Sequence, residues 1–326
     1  MEEYLRTETL KPQLRGTSTH APLDELHVTV SVGICATVEL ENTLLLVRQI
    51  LEIKDPVMSV TEVIVATPNR SLAQKLQSHE SRLKVLLEER REGKFSALNK
   101  IIGHATGSIL VFLSADVRMA TDAIPRLVKG LAYHDDWGLV DSRVQMAGGD
   151  ALLMDKINGL LWAIHNATLD ELDIEEKLAH AGDMLAVRRE LVDSVPNITN
   201  DDAHLALDVR RKGFKVKRVP KSLVWIVGPR SPADYMLQRS RILQGHFELI
   251  RDYGTMPTTF EFSISSRPLR NARLLLKTLS RLGPSFIPAL MVAGLLELFS
   301  LQIAILGLLF QKEHKPWKLA LTTKRA

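Results

Sequence analysis

The sequence predicts an α/β protein with a doubly wound, mainly parallel sheet, followed by a helical tail. Three observations point there. Short β-branched apolar runs alternate with stretches of helical periodicity, the pattern of βαβ units. A chain of 326 residues with 45% hydrophobic side chains has enough apolar surface for a sizeable core. The charge is split: from Arg267 onward there are ten Lys/Arg and two Glu, leaving 32 basic and 36 acidic groups on everything before. The basic pI of about 9.1 therefore belongs to the tail. A mildly acidic globular part argues against a nucleic-acid enzyme, whose basic patch would sit on the folded domain. A basic tail suits an anionic membrane surface.

The elements follow in order. Residues 27–34 are apolar and β-branched, a first strand. Residues 41–53 repeat Leu44, Leu45, Val47, Ile50 and Leu51 at helical spacing. Residues 60–67 read as a strand, 71–81 as a short helix and 83–87 as a third strand. A basic loop then opens a helix over 96–106 with Ala97, Ile101 and Ile102 on one face, ended by Gly107. The strand 108–113 delivers Asp116 just past its carboxyl end. Thr121 caps a helix to about residue 132, and 139–144 is a further strand. In the second half, 151–169 is a helix containing Trp162, and 181–187 a strand. Asn200 caps a helix over 201–212 that Gly213 stops. Residues 216–219 and 223–227 are short strands, and 231–252 a longer helix. The absence of Gly-x-Gly-x-x-Gly after the first strand argues against a dinucleotide site.

The ends differ from the middle. Residues 1–26 are polar, lack an apolar h-region, and read as a mobile tail rather than a signal peptide. A single cysteine, Cys35, allows no disulfide within the chain and fits a reducing compartment. Over 267–284, Arg270, Arg273, Lys277 and Arg281 recur every three or four residues, with Leu269, Ala272, Leu276 and Leu279 on another face. That is a basic amphipathic helix suited to lie on a membrane. Residues 286–310 are apolar with one charge, Glu297, and are long enough to cross a bilayer. The segment reads as a single span, or as an interfacial or oligomer-forming helix. The domain expected to hold the chemistry covers 27–255, and 311–326 is a basic end.

Several residues carry chemistry by type and place. Asp116, with Lys94 and Asn99 upstream, suits a metal-bound diphosphate at the carboxyl end of a strand. Asp201 and Asp202 open a helix, where free N–H groups favour carboxylates. Arg239 and Arg241 are spaced to clamp phosphate oxygens.

These stretches, in order, resemble family 2 glycosyltransferases. Lys94-x-x-Ala97-Leu98-Asn99 resembles the family's Lys-x-x-Ala-Leu-Asn, and Ser114-Ala115-Asp116 stands where the family has Asp-x-Asp. Asp201-Asp202-Ala203-His204-Leu205, running to Gly213, is similar to Glu-Asp-x-x-Leu with its later Gly. Gln238-Arg239-Ser240-Arg241-Ile242 is similar to Gln-x-x-Arg-Trp. The resemblance covers about residues 28–250 and implies a GT-A-type fold and a nucleotide-sugar donor. It further implies Mg²⁺ or Mn²⁺ at Asp116, and inverting transfer with Asp202 as base beside Asp201. Donor contacts would come from Glu39, Thr67, Lys94, Asn99, Ser114 and Asp116. Contacts to acceptor or phosphate would come from Gly182, Asp183, Gln238, Arg239 and Arg241. With the tail, the reading is a hexosyltransferase at the cytoplasmic face of the cell membrane, acting on a lipid-linked or glycan acceptor in cell-envelope glycan synthesis. Two alternatives stand beside it: a polysaccharide synthase subunit, for which an aromatic at 242 is expected, and a non-catalytic scaffold.

Overall fold

A computed structural model describes residues 27–76, 81–149, 151–254, 259–263, 267–310 and 323. The expected tail 1–26, and 311–326 apart from residue 323, lie outside the described residues. Eight strands form one sheet in the order β3-β2-β1-β4-β7-β6-β8-β5. The parallel half consists of β1 (Val28–Cys35), β2 (Met58–Thr67), β3 (Leu83–Leu87) and β4 (Ile109–Ser114). Then β7 (Met184–Arg188) runs antiparallel to β4, and β6 (Trp137–Met146) antiparallel to β7. β8 (Lys215–Ile226) lies parallel to β6, and the short β5 (Val117–Met119) closes the edge antiparallel to β8.

The central strands are apolar in continuous runs because helices cover both faces. Alternate side chains go to opposite cores. Val30, Val32, Val63, Val65 and Val111 face α1 (Leu40–Leu51) and α4 (Ala123–Ala132). Ile64, Ala66, Leu110 and Leu185 face α3 (Lys94–His104) and α6 (Asp201–Arg211). Most of these side chains are fully buried, each worth about 1.5–3 kcal/mol relative to exposure. The small α2 (Arg70–Leu76) covers the outer strands.

The structure corrects the sequence reading at several points. The two short strands expected at 216–219 and 223–227 are one strand, β8. Pro220 and Lys221 are exposed at the step where the register to β6 shifts, so a residue without an N–H sits where the ladder is interrupted. Neither expected helix cap forms. The cap position of α4 is Asp122, whose carboxylate instead takes Arg126. Asn200 does precede α6, but its amide donates to the Ile242 carbonyl, 3.1 Å, and to His246. Asn200 thus ties α6 to α7 (Pro232–Tyr253). The close approach requires Gly245, where a Cβ would stand 2.4 Å from the Asn200 amide.

A second helical layer stands on the antiparallel half. α5 (Leu153–Ile174) and α7 carry the short α8 (Phe260–Ser263), α9 (Pro268–Leu282) and α10 (Ile287–Phe310). α9 turns Asn271, Leu274 and Thr278 inward, not its leucine stripe, and pairs Arg270 with Glu171 and Arg267 with Glu175 of α5 or its end. Its outer face mixes exposed Leu269 and Leu276 with Arg273 and Lys277. α10 belongs to the one stretch among the described residues that is long and apolar enough to cross a membrane. It packs along α7 and α5 through Ala289, Leu296, Ser300 and Ala304, and leaves most of its large side chains exposed.

Candidate active site

In the order β3-β2-β1-β4 the winding reverses between β1 and β4, and open α/β sheets bind ligands at the carboxyl ends beside such a reversal. A cavity of about 340 Å³ opens there. The turn after β1 forms one wall. Its Thr37 and Val38 N–H groups donate to the Glu39 carboxylate at 2.8 and 2.9 Å. Cys35 at the end of β1 has its thiol pushed up to about 12 by burial, so it stays protonated and unreactive.

The next wall follows from the antiparallel run of β7. Its first residue pairs with the last turn of the β4 ladder, Leu113 opposite Met184, and the Ser114 N–H donates to the Asp183 carbonyl at 2.9 Å. Gly182 and Asp183 therefore stand beside Ser114 on the rim of the cavity that Asp116 also lines. The Gly182 N–H in turn donates to Asp141 at 2.9 Å. Burial pushes the Asp141 carboxyl up to about 7 against the opposing charge of Arg218.

α6 aims its first turn at the same space. Asp201 is buried and lies 2.8 Å from the Lys94 ammonium. Burial raises Asp201, with Lys94 opposing. Loss of solvent works against the Lys94 charge, but Asp201 and Asp202 outweigh it and hold the ammonium charged. Gly93 makes this reach possible, since α3 starts from its positive φ of 127°. Asp202 is less buried. Its Oδ1 accepts from the Ala203 N–H at 2.7 Å, and its Oδ2 makes no hydrogen bond among the described residues. Of the two acids, Asp201 is bound to Lys94, and Asp202 lines the cavity with one carboxylate oxygen on the Ala203 N–H.

Most of the residues singled out from the sequence meet here: Glu39, Lys94, Ser114, Asp116, Gly182, Asp183, Asp201, Asp202, Gln238, Arg239 and Arg241. Two do not line the cavity. Thr67 is fully buried and accepts from the Asn69 N–H. Asn99 exchanges both of its amide hydrogen bonds with the backbone of Val195, at 2.7 and 2.8 Å, stapling α3 to the segment before α6. Arg239 and Arg241 also part company. The Arg239 guanidinium binds Glu261 and, at 2.8 Å, Glu297 of α10, which also accepts from the Tyr235 hydroxyl at 2.5 Å. The charge in the middle of the apolar helix is thus satisfied by the domain, and Arg239 holds α10 to α7 instead of standing free for a phosphate.

Arg91, in the loop after β3, was not singled out, though it belongs to the basic loop before Gly93. It lines the cavity near Arg241, and neither forms an ion pair among the described residues. Burial and then the Arg241 charge press the Arg91 value downward. Two like charges sharing a cleft are costly until an anion joins them. Each should form a charge-assisted bond worth about 1.5–3 kcal/mol. Arg91→Ala and Arg241→Ala should therefore each weaken the binding of pyrophosphate in this cleft by roughly 10- to 100-fold, as calorimetric titrations will show. Trp162, His165 and His180 also line the cavity unannounced. The signal was the spacing of Asn158, Trp162 and His165, which puts all three on one face of α5.

The carboxylates present suit a cation that brings its own ligands. No group of three or more His, Cys, Asp or Glu able to hold a metal occurs among the described residues. Asp116 alone at the carboxyl end of β4 fits a small divalent ion that is bound by one or two carboxylates and completed by substrate phosphates.

The family model described as glycosyl transferase family 2 matches residues 31–195, just over half of the chain. The chain belongs to glycosyl transferase family 2. Among solved structures it is similar to a mannosyltransferase from Pyrobaculum calidifontis, solved in complex with GDP-Man and Mn²⁺. The TM-score is 0.60 at 20% identity, over 90% of each chain. It is also similar to glucosyl-3-phosphoglycerate synthase from Mycobacterium tuberculosis, solved with Mn²⁺, UDP and glucosyl-3-phosphoglycerate. There the TM-score is 0.50 at 20% identity, over 71% of this chain and 81% of that one. No curated protein matches the chain. The fold is the expected GT-A type.

Proposed function

We propose that this glycosyltransferase moves a hexose from a nucleoside-diphosphate donor to a lipid-linked acceptor, a polyprenyl phosphate or lipid-linked glycan, with inversion at the anomeric carbon. The observation that carries the reading is the convergence of Asp116, Asp183, Asp202 and the Lys94–Asp201 pair on one cavity at the reversal of the sheet. The GDP-Man of one similar structure and the glucosyl-3-phosphoglycerate of the other are consistent with a hexose, and their Mn²⁺ with a divalent cation here.

The roles follow from position. Glu39 and the turn after β1 lie at the nucleoside end. Arg91 and Arg241 bind the diphosphate. Asp116 would hold Mg²⁺ or Mn²⁺, which when bound offsets the charge of the leaving diphosphate. Asp202 orients the acceptor and takes its proton if it carries one. Gln238, Gly182 and Asp183 border the acceptor side. Proton NMR of the product formed from an α-linked donor tests the stereochemistry: a β-linkage supports a single displacement, and an α-linkage excludes it.

The segment 27–255 forms the catalytic domain, and 267–310 attaches it to the cytoplasmic face of a membrane. Support comes from the exposed apolar side chains of α10 beside the mixed basic face of α9. Each basic residue near an anionic surface is worth about 1 kcal/mol. Replacing Arg273, Lys277 and Arg281 together by Gln should cut the preference for anionic over neutral vesicles by roughly 100-fold in a sedimentation assay.

A further inference from the structure

The two ends of the cavity differ in charge. Arg91, Arg241 and Lys94 stand at the donor end. The other end, beyond Asp202, is built from an indole and imidazoles. Trp162 and His165 come from α5, His180 from the segment before β7, and His246 from α7. The His165 ring meets Trp162 edge-on at 5.1 Å and His180 at 4.9 Å. Asn200 donates to His246 Nδ1 at 3.2 Å, which leaves the proton on Nε2. The other two rings make no hydrogen bond among the described residues. His180 Nδ1 is buried with no hydrogen bond, and His165 makes none among the described residues. An unpaired buried polar atom costs about 1–3 kcal/mol and calls for an explanation. Here one such atom belongs to a cavity-lining ring that stands against a second cavity-lining imidazole without a hydrogen bond, and the nitrogens the two rings turn to the cavity are left for a ligand to complete.

Charge decides what that ligand is. Burial lowers all three imidazoles, His246 to about 4, so they are neutral near pH 7. The charged groups that face them are Asp202, Glu261, Arg218 and Arg239. Both guanidinium groups are already taken. Arg239 is shared by Glu261 and Glu297, and Arg218 by Asp170 and Asp141. A phosphate or carboxylate would meet carboxylates with no cation to spare. A neutral polyol would find imidazole nitrogens that accept or donate, and an indole against which its C–H groups can pack.

We propose that this end of the cavity is a subsite for a neutral sugar ring of a glycan acceptor, seated against Trp162 and hydrogen-bonded by His165, His180 and His246. The inference rests on the glycosyltransferase reading and names its acceptor class: a sugar hydroxyl, not a bare phosphate. The hydroxyl oxygen forms the new bond to the anomeric carbon. The carbon–oxygen bond to the diphosphate breaks, its electron pair leaves with the diphosphate, and the hydroxyl proton passes to Asp202. Trp162 also answers the missing aromatic at Ile242, since it brings a ring to the acceptor side from a different helix.

The test uses the full-length protein in detergent, saturated with a nucleotide-sugar that it binds. Saturation-transfer NMR is run with a panel of methyl hexosides and disaccharides, with inorganic phosphate as competitor. The expected result is binding of at least one glycoside that tenfold excess phosphate does not displace. His180→Leu and Trp162→Leu, each checked for folding by circular dichroism, should weaken it at least tenfold, while Trp162→Phe keeps it. Displacement by phosphate, or no glycoside binding by wild-type protein that still binds donor, overturns the subsite. Absence of donor binding as well would remove the glycosyltransferase reading beneath it.

Discussion

Asp202→Asn is expected to lower kcat by about 10²- to 10⁴-fold, the usual contribution of a positioned general base, while the donor still binds. The substitution is nearly isosteric. The side-chain oxygen of Asn can accept from the Ala203 N–H as Oδ1 does now at 2.7 Å, so the first turn of α6 is preserved. What is lost is the carboxylate that would receive the acceptor proton. Asp201→Asn is a different experiment, because Asp201 is buried against Lys94 and its loss leaves that ammonium without its partner. If the two variants behave alike in single-turnover kinetics, the division of labour between the adjacent acids is wrong.

Arg218→Met should destabilise the fold by about 3–5 kcal/mol, the cost of stranding buried charge by removing one partner. The Arg218 side chain is 1% exposed and Asp141 2%. Arg218 also binds Asp170 at 2.9 Å and both the carbonyl and the side chain of Asn166. Through Asp141 it reaches the Gly182 N–H at the edge of the cavity. The loss should depend on pH in a defined direction. Asp141 is raised above its unfolded value, so the native state holds a proton that the unfolded chain has released. Stability therefore falls as pH rises from about 4 to about 7. Without Arg218, which holds the Asp141 carboxyl down, that fall should extend to higher pH. Urea titrations of the variant at pH 5 and pH 8 should show the larger deficit at pH 8.

The parallel half of the fold was legible because its inner strands are covered on both faces and so read as apolar runs. Residues 60–67 found their place for that reason, and the half-exposed edge strand 83–87 by its short β-branched and leucine run. The antiparallel half was less so. The edge strand β5 is three residues long, and Pro220 made one strand look like two. At the site, residues fixed by local spacing on strand ends and helix starts were readable: Asp116 past β4, and Asp201 and Asp202 on α6. Residues whose partners lie far along the chain were not. Asn99 belongs to Val195, 96 residues away, and Arg239 to Glu297, 58 residues away. Nothing local announces such pairs. His165 and His180 meet only because α5 and the segment before β7 pack together.

Asp116, Arg91 and Arg241 are expected to hold a nucleoside-diphosphate sugar together with a divalent cation. Calorimetry of the purified protein with UDP-, GDP- and dTDP-sugars, with and without Mn²⁺, measures this. Tight binding of one donor with Mn²⁺, lost on chelation and lost in Asp116→Ala, is the expected result. Binding to no donor, or donor binding equally strong in Asp116→Ala and without metal, would remove Asp116 and the cation from donor binding.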